Sequence, residues 1–203
     1  MALHTWLLYL VAAIGLSLTP GPNSLLVLTH GALHGHRRTL YTVAGGALGF
    51  TAVIAMSMVG IGALLQASAH ALVVLKIVGG AYLVWLGIQL WRSPPMVFEV
   101  RPGGGDARAA TLLRQGLLTA VSNPKALLFY GAFLPQFIDA GQPLLPQFAV
   151  MTATFVVVEW FVEWGLALLA HRVRPWLQRS GRGFNRACGG LFVGMGCALP
   201  LTR

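Results

Sequence analysis

Glu159 and Glu163 lie four residues apart in an otherwise uncharged apolar stretch, so on a helix they share one face. A carboxylate taken out of water favours its neutral form, which lets such a pair exchange protons near neutral pH, as a proton-coupled carrier requires. The plainer alternative is that one or both pair with Lys125 or Lys76, or line water passively. Lys125 follows Asn123-Pro124. Asn caps exposed N–H groups and Pro suits the first helical position, so a half-helix can begin there. A cation in its first turn opposes the helix dipole. Lys125 therefore binds a substrate carboxylate, pairs with a segment-five glutamate, or snorkels to the interface.

A second break, Thr19-Pro20-Gly21-Pro22-Asn23, interrupts the uncharged run from Thr5 to Thr29. Pro20 and Pro22 have no N–H, so the carbonyls of Leu16 and Leu18, four residues back, lose their helical partners. In hydrocarbon each such acceptor costs several kcal/mol unless it faces protein, water or a solute. The alternative is a plain proline kink. Asn23 can cap the helix that resumes. Two half-helix N-termini suit a carboxylate, and the freed carbonyls of Leu16, Leu18 and Ala120 suit an ammonium. The pair of breaks is thus matched to a zwitterion. Asp139, at the outer end of the fourth segment, is either a gate or plain surface.

These groups need a scaffold, and composition says which. Of 203 residues 56% are hydrophobic and only 9% charged, with mean hydropathy +0.72, against about 25% charged in soluble domains. The chain reads as an all-α integral membrane protein. The net charge of +9 has no basic stripe with interleaved aromatics, which excludes nucleic acid as a partner. There is no GxSxG, HExxH or phosphate-binding glycine loop, so an enzyme has no residues to rest on. His34-Gly35-His36 sits among arginines and reads as a loop contact rather than a metal site. Cys188 and Cys197 lack metal-site spacing and read as small buried residues.

At about 20 apolar residues per span, the chain divides into six transmembrane helices. Segment one covers Thr5 to Thr29, His30 to Arg38 is a polar connection, and Thr39 to Trp91 holds two helices turning near 66–70. Segment four runs from Thr111 to Ile138, five from Leu144 to Ala170, and six from Ala187 to Leu201. This gives a first three-helix repeat (1–91), a cytoplasmic linker loop (92–110) and a second repeat (111–203). Eleven of the fourteen Lys and Arg residues fall in or beside the loops one-two, three-four and five-six. The positive-inside rule makes those loops cytoplasmic and puts both termini outside.

Three helices per half force the second half to insert upside down. Gly79-Gly80 with Gly87 resembles Gly189-Gly190 with Gly196, and each half has a broken first segment. Inverted three-helix repeats with broken helices mark transporters. One detail fits poorly: both breaks fall nearer the cytoplasmic face, where inversion would put them on opposite sides. Gly45-xxx-Gly49 reads as a close helix contact.

Thr19 to Asn23, then Asn123-Pro124-Lys125-Ala126 running into Phe133 to Asp139, together with the two glycine-rich ends, resemble the LysE/RhtB amino-acid exporters over nearly the whole chain. The resemblance implies six helices and export of amino acids from the bacterial cytoplasm across the inner membrane by proton antiport. It also implies an acidic residue at the place of Glu159. Thr39 to Leu65 has no carboxylate, unlike the expectation for exporters of basic amino acids, which points to a neutral substrate such as homoserine or threonine. The expected substrate-binding residues are Thr19, Pro20, Gly21, Pro22, Asn23, Asn123, Pro124 and Lys125. Glu159 and Glu163 are expected to carry the proton and Asp139 to be a candidate gate, with no metal and no cofactor. The partners are the amino acid, protons and the bilayer, with homo-oligomerisation left open. The rival readings are a metal or other cation exporter on this scaffold, and a non-transporting membrane scaffold protein.

Overall fold

The computed structural model of the chain describes residues 1–19, 21–67 and 108–170, with scattered helical residues between 74 and 92 and between 172 and 197. Pro20, Lys76, Gly79, Gly80, Cys188, Gly196 and most of the 92–110 linker lie outside the described residues. The described regular structure is helical: α1 (Leu3–Leu18), α2 (Pro22–Ala67), α3 (Ala109–Val121), α4 (Pro124–Phe133), a 3-10 turn (Leu134–Phe137) and α5 (Leu144–Leu168).

The polar connection expected over 30–38 is not a loop. Helix continues through it except at Gly35, where φ is 76° and ψ 161°, a backbone conformation close to glycine-only. One residue without Cβ thus does the work of a loop. It folds α2 into two antiparallel arms, residues 22–34 and 36–67. His30 Nδ1 lies 2.7 Å from Thr42 Oγ1, twelve positions on, which a straight helix cannot bring into contact.

Small residues bring the helices together. A Cβ on Gly45 would fall on the carbonyl of Leu113, one on Gly116 on the carbonyl of Thr42, and one on Gly49 2.7 Å from Leu117 O. The Gly45-xxx-Gly49 face therefore packs α2 against α3, as the spacing suggests. Gly87 and Gly189 also meet: a Cβ on either would come 2.6 or 2.5 Å from the other's carbonyl oxygen.

On α5 polar and charged residues share the buried face while large apolar ones face outward. On α5 the buried residues are Gln147, Met151, Phe155, Glu159, Glu163 and Ala167, a stripe of strict four-residue spacing. Val157, Phe161, Trp164 and Leu168 of the same helix are exposed. Pro22–Gly62 and Leu144–Leu168 are long and apolar enough to cross a bilayer. The core is aromatic: Tyr9 on Phe137, Phe50 on Phe155, Phe129 on Phe133, with Phe192 joining from the last apolar segment. Cys197 is exposed rather than buried.

Candidate functional site

The first break is built from its own prolines and one glycine. Thr19 stays extended (φ −65°, ψ 120°), as a residue before proline must, and both its N–H and its hydroxyl donate to Gly15 O at 3.1 and 2.7 Å. Helix resumes with Pro22 as its first residue, and the Gly21 carbonyl accepts from Leu25 N at 2.9 Å. Asn23 is therefore inside the first turn and does not cap it, contrary to the sequence expectation. Gly21 holds the cap position, which glycine tolerates.

The second break follows the sequence grammar of a helix start. Asn123 caps α4, its Oδ1 accepting from Lys125 N at 3.0 Å, with Pro124 in the first helical position. The outgoing end of α3 closes on Ser122, whose hydroxyl donates to Leu118 O at 2.7 Å. The Ala120 carbonyl, expected to be freed, accepts from Asn123 N at 3.2 Å.

The two breaks touch. Asn123 Nδ2 donates to Asn23 Oδ1 at 3.2 Å, and the Lys125 ammonium donates to the carbonyls of Leu16 at 2.9 Å and Thr19 at 2.7 Å. A lysine of the second break thus serves carbonyls at the first. The Leu16 carbonyl, expected to await an ammonium, has one from within the chain. Gly21 makes room for it, since a Cβ there would lie 3.2 Å from Lys125 Cε and Nζ.

Glu159 and Glu163 are both buried beside this junction. The charge of Lys125 acts on both carboxylates. Among the described residues, Glu159 Oε2, both oxygens of Glu163 and Ser17 Oγ are buried without a hydrogen-bond partner. A buried acceptor without a donor is costly, so these atoms favour a ligand that donates hydrogen bonds. Asp139 lies apart, in an exposed turn where its Oδ1 accepts from Gly141 N and its backbone is held by Gln147.

Gly46 and Ser17 escape a reading by residue type. A Cβ on Gly46 would sit 3.2 Å from Asn23 Nδ2 and 3.3 Å from Glu163 Oε2. The signal was the doublet Gly45-Gly46: a helix with two adjacent glycines can be approached closely on two faces, one here by α3 and the other by Glu163.

Residues 22–34 and Ala109–Val121, thirteen each, separate the two breaks from the basic connections at 35–38 and at Arg108, so the breaks that touch lie equally far along their helices from those connections.

A family model described as LysE type translocator matches residues 14–203. A homoserine/homoserine lactone efflux protein of Salmonella typhimurium is 33% identical over all of this chain and 99% of its own length. A membrane protein of Vibrio cholerae is 35% identical over the full length of both chains. A leucine efflux protein of an Enterobacter species is 34% identical over 66% of this chain and 63% of its own. No solved structure matches.

Proposed function

The chain belongs to the LysE type translocator family, a membrane transport family and not an enzymatic one, and from that premise we propose that it exports neutral amino acids from the bacterial cytoplasm by proton antiport. The observation that carries this reading is the junction of two broken helices at Asn23, Asn123 and Lys125, beside two buried carboxylates. Broken backbone and ionisable groups at depth are tolerated where they handle a solute. Homoserine and leucine, for whose efflux two relatives are named, both have neutral side chains, and α2 has no carboxylate to meet a cationic one.

The proposed architecture is six helices in two inverted repeats, residues 1–91 and 111–203 about the 92–110 linker, in the inner membrane with both termini outside. Three contacts support it. Asn23 pairs with Asn123, Gly87 with Gly189, and the α2–α3 packing has a counterpart in α1 against α5, where Tyr9 Oη donates to Met151 O at 3.0 Å. Two of these pairs join residues about a hundred apart in sequence, and the third joins counterpart helices, as a pseudo-two-fold relation predicts. Rocking one repeat against the other would open the junction to each side in turn. Asn23 and Asn123 would bind the substrate, with Thr19, Gly21, Pro22 and Pro124 shaping the break, Glu159 and Glu163 handling the proton, and Asp139 at the outer rim.

The test is efflux from proteoliposomes loaded with labelled homoserine, threonine or leucine. Saturable efflux accelerated by an inward proton gradient is expected. An absence of amino-acid movement in either direction overturns the proposal.

A further inference from the structure

The site holds two buried carboxylates, and its described cation is the single ammonium of Lys125. Lys125 is also committed elsewhere, through its bonds to the Leu16 and Thr19 carbonyls. One ammonium balances one carboxylate, and the two carboxylates are not equally served: among the described residues Glu159 has one buried oxygen without a hydrogen-bond partner, and Glu163 has two. Glu163 is left over, 1% exposed and with both oxygens lacking a hydrogen-bond partner among the described residues. A second negative charge at this depth needs its own cation.

The groups facing Glu163 allow little choice of what that cation is. Glu159 lies on its own helix, Lys125 comes from α4, and Tyr130 of α4 feels the charge of Glu159. From α2 come the Asn23 amide and the bare backbone of Gly46, which brings Asn23 Nδ2 and Glu163 Oε2 to one point. A carboxylate beside a carboxamide and a glycine wall is a seat for a small group that donates hydrogen bonds. Among the described residues it has no soft ligand for a transition metal, and none of them offers a second positive charge for a substrate carboxylate once Lys125 is engaged.

Building on the exporter reading, we propose that Glu163 is one seat used in turn by a proton and by the ammonium group of the substrate, so that the protein recognises a primary amine and does not require a carboxylate. Facing the cytoplasm, the Glu163 carboxylic acid gives its proton to water as R–NH3+ takes its place on the carboxylate. Facing outward, the amine leaves and a proton from outside replaces it. One amine leaves and one proton enters, with charge conserved at each exchange. Coupling follows from competition for one seat and needs no second coupling residue.

The test is proton release on binding, in purified full-length protein in weakly buffered detergent with a pH-indicator dye. Leucine is expected to release about one proton per molecule bound. Leucinamide, an amine without a carboxylate, is expected to do the same, and N-acetyl-leucine to release none. Glu163→Gln should abolish release, and Glu163→Asp, which keeps the carboxylate, should restore part of it. Release that persists in Glu163→Gln, or N-acetyl-leucine binding as well as leucine, overturns the shared seat. Because release is read without transport, this inference and the exporter reading fail separately. Gradient-driven leucine efflux without proton release removes only the seat, whereas release without efflux keeps the seat and removes the exporter.

Discussion

The two helix breaks have similar sequences and opposite economies. At the second, Asn123 caps α4, Ser122 closes α3, and the Ala120 carbonyl is taken by Asn123 N. That break satisfies itself. At the first, Thr19 turns back on Gly15, but Leu16 O and Thr19 O receive the ammonium of Lys125, which comes from the second break. The first break is therefore complete only while the two halves of the chain are together. A pair built this way has one member that can stand as a platform and one whose backbone reports on the other, the asymmetry expected where one half is to move against the other.

Lys125→Ala should have the largest effect. It removes a charged hydrogen bond from each of two carbonyls, about 1.5–3 kcal/mol apiece, and takes from the two buried carboxylates the one described cation beside them. Thermal unfolding in detergent should fall accordingly and efflux should be lost. Lys125→Arg should not restore it, because the approach to Gly21, where even a methyl would lie 3.2 Å from the ammonium, leaves no room for a guanidinium. A Lys125→Ala protein as stable as wild type would mean that the first break satisfies itself too, and the comparison would fail.

Much of this was legible in residue types. Prolines mark the breaks, Asn-Pro marks a helix start, and two glutamates four apart mark one helix face, because each rule is local. What sequence could not give was partnership across the chain. That Leu16's orphan carbonyl is met by Lys125, 109 positions away, depends on how the halves pack. So does the role of Gly46, which is defined only by Asn23 and Glu163 beside it. The stretch 30–38 departs from expectation for another reason. Polar residues at a span's end look like a connection, yet His30 and Thr42 satisfy each other and Gly35 alone supplies the turn. Asn23 likewise has the type of a cap, but the glycine two places before it holds that position.

Asn123→Ala tests the self-sufficient break and should cost less. It loses a helix cap, typically about 0.5–2 kcal/mol, together with the bond to Asn23 at 3.2 Å. Asn123→Ser separates the two losses. Its hydroxyl still accepts from Lys125 N and keeps the cap without adding a buried charge, but the amide donor to Asn23 Oδ1 is gone. If the junction rather than the cap serves transport, Asn123→Ser should keep near wild-type thermal stability and still lower the efflux rate. Equal efflux from Asn123→Ser and wild type would reduce the Asn pair to packing.

Gly21→Ala should be the smallest change in stability and the sharpest in meaning. Alanine is a poorer cap than glycine, and its methyl would lie 3.2 Å from Lys125 Cε and Nζ, tighter than ordinary contact. The crowded atoms are the free end of a flexible side chain, which can give by a few tenths of an ångström, so the fold should lose only about 1 kcal/mol. The ammonium, however, gives by moving off the Leu16 and Thr19 carbonyls toward the two glutamates. A positive charge brought nearer Glu163 competes there with proton and amine alike. Efflux should therefore fall well beyond what the stability change explains, and proton release on leucine binding should weaken. If Gly21→Ala lowers efflux only in proportion to folded protein, the position of Lys125 between carbonyls and carboxylates has no part in coupling, and the dependence of the first break on the second is structural alone.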